Sequence, residues 1–171
     1  MVTIRIATPD DYETLALLGR LTFKESHGDY IQDKTNLQAY LNTAFSIAKT
    51  KQDLQNERIV YLMLFENNFP VGYSKFIIDE SIAFVKSSKP FRLERIYILD
   101  DFLSKKYGHQ LLKVTEHEAK VLGCQHLWLS VYIKNTRALK FYKNNGFTTV
   151  GRISFQISKQ GYENPILAKT L

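Results

Sequence analysis

The chain has 171 residues, of which 44% are hydrophobic and 13% aromatic, and these values are typical of one globular domain with a hydrophobic core. No stretch approaches the roughly 20 apolar residues of a membrane-spanning helix, and the N-terminal residues mix acids and bases instead of forming a signal peptide, so we expect a cytoplasmic protein with no membrane partner. Cys124 is the only cysteine, which excludes an internal disulfide and a multi-cysteine metal site.

The net charge of +6 is concentrated in one part of the chain. Residues 103–143 carry eight basic and two acidic side chains, whereas the rest of the chain contains 15 of each sign. Because the excess is local, it favours a compact polyanion such as a nucleotide phosphate over a long duplex. We therefore expect no nucleic-acid partner.

The first 50 residues combine one extended and two helical patterns. Val2–Ile6 is predicted as a strand. Thr8-Pro9-Asp10-Asp11 then begins a helix, because proline suits the first turn and acidic residues favour a helix N-terminus. Its apolar residues follow a helical spacing: Leu15, Leu18 and Leu21. A second amphipathic helix is predicted over Asn36–Lys49.

Three extended segments and a long helix follow. The β-rich runs Ile59–Phe65 and Val71–Ile78 flank Asn67-Asn68-Phe69-Pro70, which predicts an antiparallel hairpin. Phe91–Leu99 is predicted as a third long strand after a polar loop that ends at Pro90. A helix is predicted over Lys105–Leu122, with the apolar stripe Leu111, Leu112, Thr115, Ala119 and Leu122, and Gly123 suits its C-terminal cap.

The last part of the chain returns to the sheet. His126–Ile133 is predicted as a strand, and Asn135 caps a helix over Thr136–Asn144 that ends at Gly146. Phe147–Gln156 and Ile166–Leu171 are predicted as the final strands. The order β-α-α-β-β-β-α-β-α-β-β predicts an α/β (α+β) fold: a mixed, mostly antiparallel central sheet with a central parallel strand pair and flanking helices.

The most specific motif lies between Leu127 and Phe147. A strand runs into the helix capped by Asn135, in which the small residue Ala138 precedes Phe141-Tyr142, and Gly146-Phe147 then returns to the sheet. This arrangement resembles the second half of the cofactor site in the GCN5-related N-acetyltransferase (GNAT) superfamily.

The first half of that cofactor site is expected upstream, and the segments 93–98 and 107–112 stand where the family places it. In the family a loop Gln/Arg-x-x-Gly-x-Gly/Ala and the following helix N-terminus hold the pyrophosphate of coenzyme A. Here Gly108 matches, whereas Leu103 stands at the Gln/Arg position and Lys106 at the first Gly position. The Lys106 side chain either crowds the phosphate or supplies a charge in place of a backbone contact.

The resemblance spans nearly the whole chain and is closest to the bacterial PaiA-type spermidine/spermine N-acetyltransferases. It implies a single GNAT domain over residues 1–171 that transfers the acetyl group of acetyl-CoA to a small primary amine such as spermidine or spermine. The alternatives are another amine, namely an amino sugar, an amino acid or a protein N-terminus, and a non-catalytic CoA-binding regulatory module. Whether the chain forms a homodimer is left open.

The resemblance also implies roles for individual residues. Tyr142 matches the tyrosine that protonates the departing thiolate, since a phenol with a pKa of about 10 is protonated at pH 7. Glu94 is the candidate base that takes the proton of the amine through water, although an ion pair with Arg95 is an equally good interpretation. The residues expected to bind the cofactor are Ile96, Tyr97, Ile98, Lys105, Lys106, Tyr107, Gly108, His109, Gln110, Asn135, Ala138 and Lys143.

Acidic residues in segments that flank the acceptor site in this fold could attract a polycation, and they are Glu25, Asp29, Asp33, Asp79 and Glu80. The four histidines have no metal-ligand spacing with nearby cysteines or carboxylates, so we expect no metal.

Overall fold

The computed structural model describes residues 1–155 and 162–171. The helices in this part of the chain are α1 (Tyr12–His27), α2 (Lys34–Ala44), α3 (Ile47–Leu54), α4 (Tyr107–Val121) and α5 (Thr136–Asn144). The strands are β1 (Val2–Ile6), β2 (Ile59–Glu66), β3 (Phe69–Ile77), β4 (Pro90–Ile98), β5 (His126–Ser130), β6 (Thr148–Phe155) and β7 (Tyr162–Thr170). They form a sheet in the order β1-β2-β3-β4-β5-β7-β6.

The pairing directions confirm the predicted mixed sheet. β4 and β5 are parallel, with Pro90 opposite His126, and the β1–β2, β5–β7 and β6–β7 pairs are antiparallel. A parallel pair needs a long crossover connection, and α4 supplies it between β4 and β5.

The chain divides into two compact units. The first unit comprises Met1–Phe76 and Arg95–Thr115, and the second comprises Ile77–Glu94 and Glu116–Leu171. A single domain over residues 1–171 stays a prediction.

In the first unit, α1 covers one face of β2 and β3. Leu15 and Leu18 are buried against Tyr61, Met63 and Tyr73. The predicted stripe is wrong at its third position, because Leu21 is exposed and Thr22 is buried in its place. A spacing of three and then four residues keeps positions 15, 18 and 22 on one helix face, and the Thr22 hydroxyl is satisfied by donating to the Leu18 carbonyl at 2.8 Å.

The predicted helix over Asn36–Lys49 is wrong, because the segment forms two helices separated by Phe45 and Ser46. Ser46 has an extended backbone, and its Oγ accepts from Lys49 N at 3.1 Å as the N-cap of α3. Phe45 is buried immediately before it. A capping serine after a buried aromatic residue thus ends one helix and begins the next.

The predicted hairpin between β2 and β3 is present. Asn67 and Asn68 have φ angles of 49° and 66°, the left-handed conformation that tight hairpin turns require and that asparagine tolerates well. Phe69 and Pro70, which were predicted in the turn, begin β3, and strand limits elsewhere also differ from prediction. β5 ends at Ser130 instead of Ile133 because the chain turns there, with Asn135 N donating to Tyr132 O, and β7 begins four residues before Ile166.

β6 begins at Thr148, one residue after the predicted start, and Gln156 at the predicted end lies outside the described residues. In the second unit, Trp128, Ile166 and Ala168 pack with Val85, which belongs to the connection between β3 and β4. Phe84 of the same connection lies against Gly151 of β6, where a Cβ atom would come within 2.4 Å of its ring. A larger residue at position 151 would therefore force the Phe84 ring or the strand to move.

A buried charge network joins α3 to the sheet within the first unit. The Asp53 carboxylate accepts from Lys75 Nζ at 2.7 Å and from the Tyr61 hydroxyl at 2.9 Å, and Lys75 and Asp53 are only 3% and 2% exposed. Lys49, whose side chain is 46% exposed, donates to the same carboxylate at 2.6 Å. Burial raises the pKa of Asp53, but the hydrogen bonds from Lys49 and Lys75 outweigh burial and lower that pKa overall.

Asp53→Ala is expected to lower the free energy of unfolding by about 3–5 kcal/mol, because it leaves the buried Lys75 ammonium without its carboxylate. Lys49→Met is the matched control, since it removes an exposed partner of the same carboxylate and should cost less than about 1 kcal/mol. Urea denaturation measures both. Equal losses in the two variants would contradict the assignment of the buried pair.

Candidate active site

Helix α5 of the second unit is positioned by the asparagine at its start. Asn135 Oδ1 accepts from Ala138 N at 3.0 Å, and the Asn135 carbonyl accepts from Leu139 N at 3.1 Å. The predicted N-cap is therefore present. The cap uses the side-chain oxygen of Asn135, and the role of this residue in cofactor binding stays a prediction.

Tyr142 lies on the buried face of the same helix. It is 8% exposed, and its ring packs edge-on against Phe141 and Phe147 at centroid distances of 5.2 and 5.4 Å. Burial raises the pKa of Tyr142 well above its ordinary value near 10, so the phenol keeps its proton at neutral pH. Gly146, with φ of 87°, turns the chain so that Phe147 N donates to the Tyr142 carbonyl at 3.1 Å.

Glu94, at the last β4 position of the second unit, faces Arg92. Arg92 Nη1 lies 4.0 Å from Glu94 Oε1 and donates to Glu80 Oε1 at 2.9 Å. The Arg92 guanidinium also lies 5.4 Å from the centre of the Trp128 ring. Arg92, two residues earlier on the strand, is thus an ionic neighbour of Glu94, and the pairing of Glu94 with Arg95 that the sequence suggested stays a prediction.

Tyr97, on the β4 segment of the first unit, belongs to an aromatic cluster. We use this name for Phe23, His27, Tyr40, Phe45 and Tyr97. Phe23 stacks on His27 at 4.5 Å and lies 4.8 Å from Tyr40, and Tyr97 stands edge-on to Phe23 and His27 at 6.4 and 6.1 Å. The Arg95 guanidinium lies 4.3 Å from the centre of the Phe45 ring. Ile96 and Ile98 are the neighbouring strand positions, and Ile98 is buried.

The loop after β4 differs from its prediction. Asp100–Lys105 forms a short 3-10 helix, and α4 begins at Tyr107 instead of Lys105. Lys106 between them has φ of 61°, which is left-handed. A residue in that conformation cannot continue the helix, so the predicted start was wrong. His109 N and Gln110 N both donate to the Lys106 carbonyl, which closes the first turn of α4.

The left-handed backbone falls at the position where the family pattern has its first glycine. An L-residue with a Cβ atom adopts this conformation at a cost of about 1–2 kcal/mol, whereas glycine adopts it freely. Lys106 therefore differs from the family in side chain and has the backbone conformation that glycine favours.

The side chains on both sides of Lys106 contact Glu66 at the end of β2. Lys105 Nζ donates to both carboxylate oxygens at 2.8 Å, and the Tyr107 hydroxyl donates to Oε1 at 2.5 Å. Glu66 was missed by the sequence reasoning because it lies about 40 residues from both partners and no motif includes it. His109, Gln110 and Lys143 have exposed side chains, and Gly108 is half-buried.

A cleft of about 540 Å³ lies within the second unit and is lined by residues 84–86 and by the ends of β5, β6 and β7. None of the predicted site residues lines it. In the described part of the chain, no three His, Cys, Asp or Glu side chains are grouped so as to hold a metal ion. None of the helices in residues 1–155 and 162–171 has the length and hydropathy of a membrane span.

The model of the acetyltransferase (GNAT) family matches residues 23–147, which include both halves of the predicted cofactor site. The chain belongs to this family. It is thus an N-acetyltransferase, and the expected enzyme class, acetyl-CoA co-substrate and fold are confirmed.

Relatives of the enzyme include a spermidine N(1)-acetyltransferase of Thermoplasma acidophilum, 25% identical over 85% of this chain and 88% of the relative. The crystal structure of a PaiA N-acetyltransferase from Thermoplasma acidophilum in complex with coenzyme A has a TM-score of 0.80 at 22% identity, covering 100% of this chain and 99% of that one. The aminoglycoside N-acetyltransferase AAC(6')-Iy in complex with CoA has a TM-score of 0.70 at 19% identity, covering 94% and 96%.

Lys106→Gly is expected to raise the free energy of unfolding by about 0.5–1 kcal/mol, because glycine adopts the left-handed backbone without a Cβ clash. Lys113→Gly, at an exposed position inside α4, is the matched control and should lower the same free energy by about 1 kcal/mol. Chemical denaturation compares the two. A loss of stability in both variants would contradict the strain assigned to Lys106.

Proposed function

We propose that the enzyme acetylates a primary amine of a polyamine such as spermidine or spermine. The observation that carries the proposal is the similarity to the Thermoplasma spermidine N(1)-acetyltransferase along 85% of the chain. Two features of the first unit support it: the aromatic cluster and the neutral state of its histidine.

The aromatic cluster offers rings of a kind that attract alkylammonium groups through cation–π interaction. Tyr40, Tyr97 and His27 are half-buried, whereas Phe23 is buried behind them. Burial lowers the pKa of His27 to about 4, so its imidazole is neutral at pH 7 and does not repel a cation. Its Nδ1 lies 2.6 Å from the Ser26 hydroxyl.

The acidic residues that the sequence suggested for polycation attraction give less support than the rings, because several have partners within the protein. Asp33 caps α2 by accepting from Thr35 N at 2.9 Å. Glu80 pairs with Arg92, and Glu25 accepts from Asp100 N at 3.1 Å. Recognition of the amine by aromatic faces thus has better support than recognition by loop charges.

In the proposed reaction, the neutral amine nitrogen attacks the thioester carbonyl carbon. The C–N bond forms, the C–S bond breaks, and the departing thiolate takes the proton of the Tyr142 hydroxyl. The nitrogen, which becomes cationic on attack, releases one proton through water, and this proton restores the Tyr142 hydroxyl. The amine arrives protonated because its pKa is near 10, so a base must first remove one proton. We assign that step to Glu94 through a water molecule. The amides of Ile96–Ile98 are assigned to the pantetheine arm and the thioester carbonyl.

Tyr142→Phe tests the assignment of the acid. The variant keeps the ring that packs on Phe141 and Phe147 but removes the acidic hydroxyl, so kcat should fall about 10²- to 10⁴-fold while the dissociation constant of acetyl-CoA changes little. Steady-state kinetics and calorimetry measure the two quantities.

Tyr12→Phe, at the start of α1, is the matched control and should retain full turnover. A Tyr142→Phe enzyme with near-normal kcat would show that the thiolate takes its proton from another donor. A thermal midpoint close to that of the native enzyme would show that lost turnover does not arise from unfolding.

A substrate panel tests the acceptor, with CoA release as the readout for spermidine, spermine, putrescine, lysine and an aminoglycoside. Spermidine or spermine should have the highest kcat/KM. Tyr40→Leu should lower kcat/KM for spermidine about 3- to 30-fold, the equivalent of one cation–π contact, whereas Tyr30→Leu at an exposed position should not.

Preferential acetylation of lysine or the aminoglycoside would contradict the polyamine proposal and favour another amine. CoA binding without turnover of any acceptor would favour the non-catalytic regulatory module.

A further inference from the structure

The cofactor loop of this chain lacks two side-chain features of its family and has a backbone that needs support. Leu103 replaces the Gln/Arg, and Lys106 adopts a left-handed conformation without being glycine. A non-glycine residue remains in this conformation only where its surroundings hold it there. The groups that hold Lys106 in this conformation therefore help to position the loop.

Glu66 contacts both chain neighbours of Lys106. Its two carboxylate oxygens each lie 2.8 Å from Lys105 Nζ, and Oε1 lies 2.5 Å from the Tyr107 hydroxyl. The Lys105 ammonium also lies 4.8 Å from the centre of the Phe102 ring, within the same 3-10 helix. One carboxylate on β2 thus fixes the last residue of the 3-10 helix and the first residue of α4.

The charges at this contact favour a stable ionised carboxylate. Hydrogen bonds from Lys105 and Tyr107 lower the pKa of Glu66, and the acceptance of the phenolic hydrogen bond by Glu66 raises the pKa of Tyr107. Glu66 is therefore ionised and the Tyr107 phenol keeps its proton at neutral pH. Charge-assisted hydrogen bonds of this kind are shorter and stronger than neutral ones.

Glu66 lies on a paired strand, so the backbone that carries its carboxylate is held in place. β2 pairs with β1, with Val2 opposite Glu66, and Asn67 at the following turn accepts from the Met1 ammonium at 2.6 Å. A carboxylate anchored in a paired strand restrains a loop more effectively than one on another loop, because the backbone beneath it is held by the sheet.

We propose that Glu66 is a positioning residue for acetyl-CoA. It clamps Lys105 and Tyr107 so that Lys106 stays left-handed and the backbone amides of Tyr107 and Gly108, at the start of α4, face the pyrophosphate. In this chain a side chain on β2 performs the task for which the family pattern uses a glycine. The inference rests on the proposal that residues 105–110 bind the pyrophosphate of the cofactor.

Glu66→Ala should raise the KM for acetyl-CoA at least 10-fold, with kcat at saturating cofactor and the KM for the amine within about 2-fold of the native values. Glu66→Gln should give a smaller increase of about 3-fold or more, because the amide keeps the shape but loses the charge. S-acetylpantetheine, which lacks the pyrophosphate, should have the same KM with each of these enzymes. A purely structural defect would change both acyl donors alike.

The rescue by glycine is the decisive comparison. If Glu66 acts by holding the left-handed backbone, Lys106→Gly removes the need for the clamp. The Glu66→Ala/Lys106→Gly double variant should then have a KM for acetyl-CoA within about 3-fold of that of Lys106→Gly alone. A double variant as defective as Glu66→Ala would overturn the proposal.

Asp11→Ala is the matched control for the loss of an ion pair between a carboxylate and a basic side chain. Asp11 accepts from Arg5 through both oxygens at 2.7 Å in the same unit, and its removal should leave the KM for acetyl-CoA unchanged. If Glu66→Ala does not fold, Glu66→Gln and its double variant with Lys106→Gly provide the same comparison. A KM within 2-fold of native for the folded Glu66 variants would overturn the inference.

Gly108→Leu tests whether the pyrophosphate binds at residues 105–110, independently of the role proposed for Glu66. If it weakens CoA binding, measured by calorimetry without an acceptor amine, while the Glu66 variants do not, the pyrophosphate assignment stands and Glu66 is not a positioning residue. If neither changes CoA affinity, the pyrophosphate lies elsewhere and the inference fails with its premise.

Discussion

The left-handed backbone at Lys106 is the constraint on which the loop after β4 and the start of α4 both depend. It ends the 3-10 helix of residues 100–105 and sets where the regular hydrogen bonding of α4 begins. From that start, Leu111 and Thr115 fall one turn apart on the buried face, and Thr115 Oγ1 lies 2.7 Å from Ser74 Oγ on β3. One strained residue thus connects the loop geometry to the packing of the helix in the first unit.

Most of the fold could be predicted because its signals are local. The Asn67-Asn68 turn and the cap at Asn135 depend on residues within four positions of one another, and both are found in the structure. The prediction failed where two local signals compete. A helical pattern runs through Phe45 and Ser46, yet burial of the one and capping by the other divide it into two helices. Periodicity alone could not decide between these outcomes.

The candidate site was predictable to the extent that it follows a contiguous motif. The segment from Asn135 to Phe147 forms the expected capped helix with a buried Tyr142. Contacts between distant residues were not predictable in the same way. Glu66 reaches Lys105 across 39 positions and Tyr107 across 41. Such pairs follow from strand register and loop path, which no spacing in the sequence encodes.

Burial shifts the pKa values of two ionisable groups in opposite directions, and each shift favours the neutral form of its group. It raises the pKa of Tyr142, so the phenol retains its proton, and it lowers the pKa of His27 to about 4, so the imidazole has lost its proton at pH 7. A neutral phenol can donate to a developing thiolate, and a neutral imidazole among aromatic rings adds no positive charge where an ammonium group is proposed to bind. With a net charge of +6, an additional buried cation would oppose a cationic substrate. A phenol with its ordinary pKa near 10 is already protonated at pH 7, so burial matters for the proposed chemistry mainly at His27, where an ordinary pKa near 6.5 would leave part of the imidazole charged.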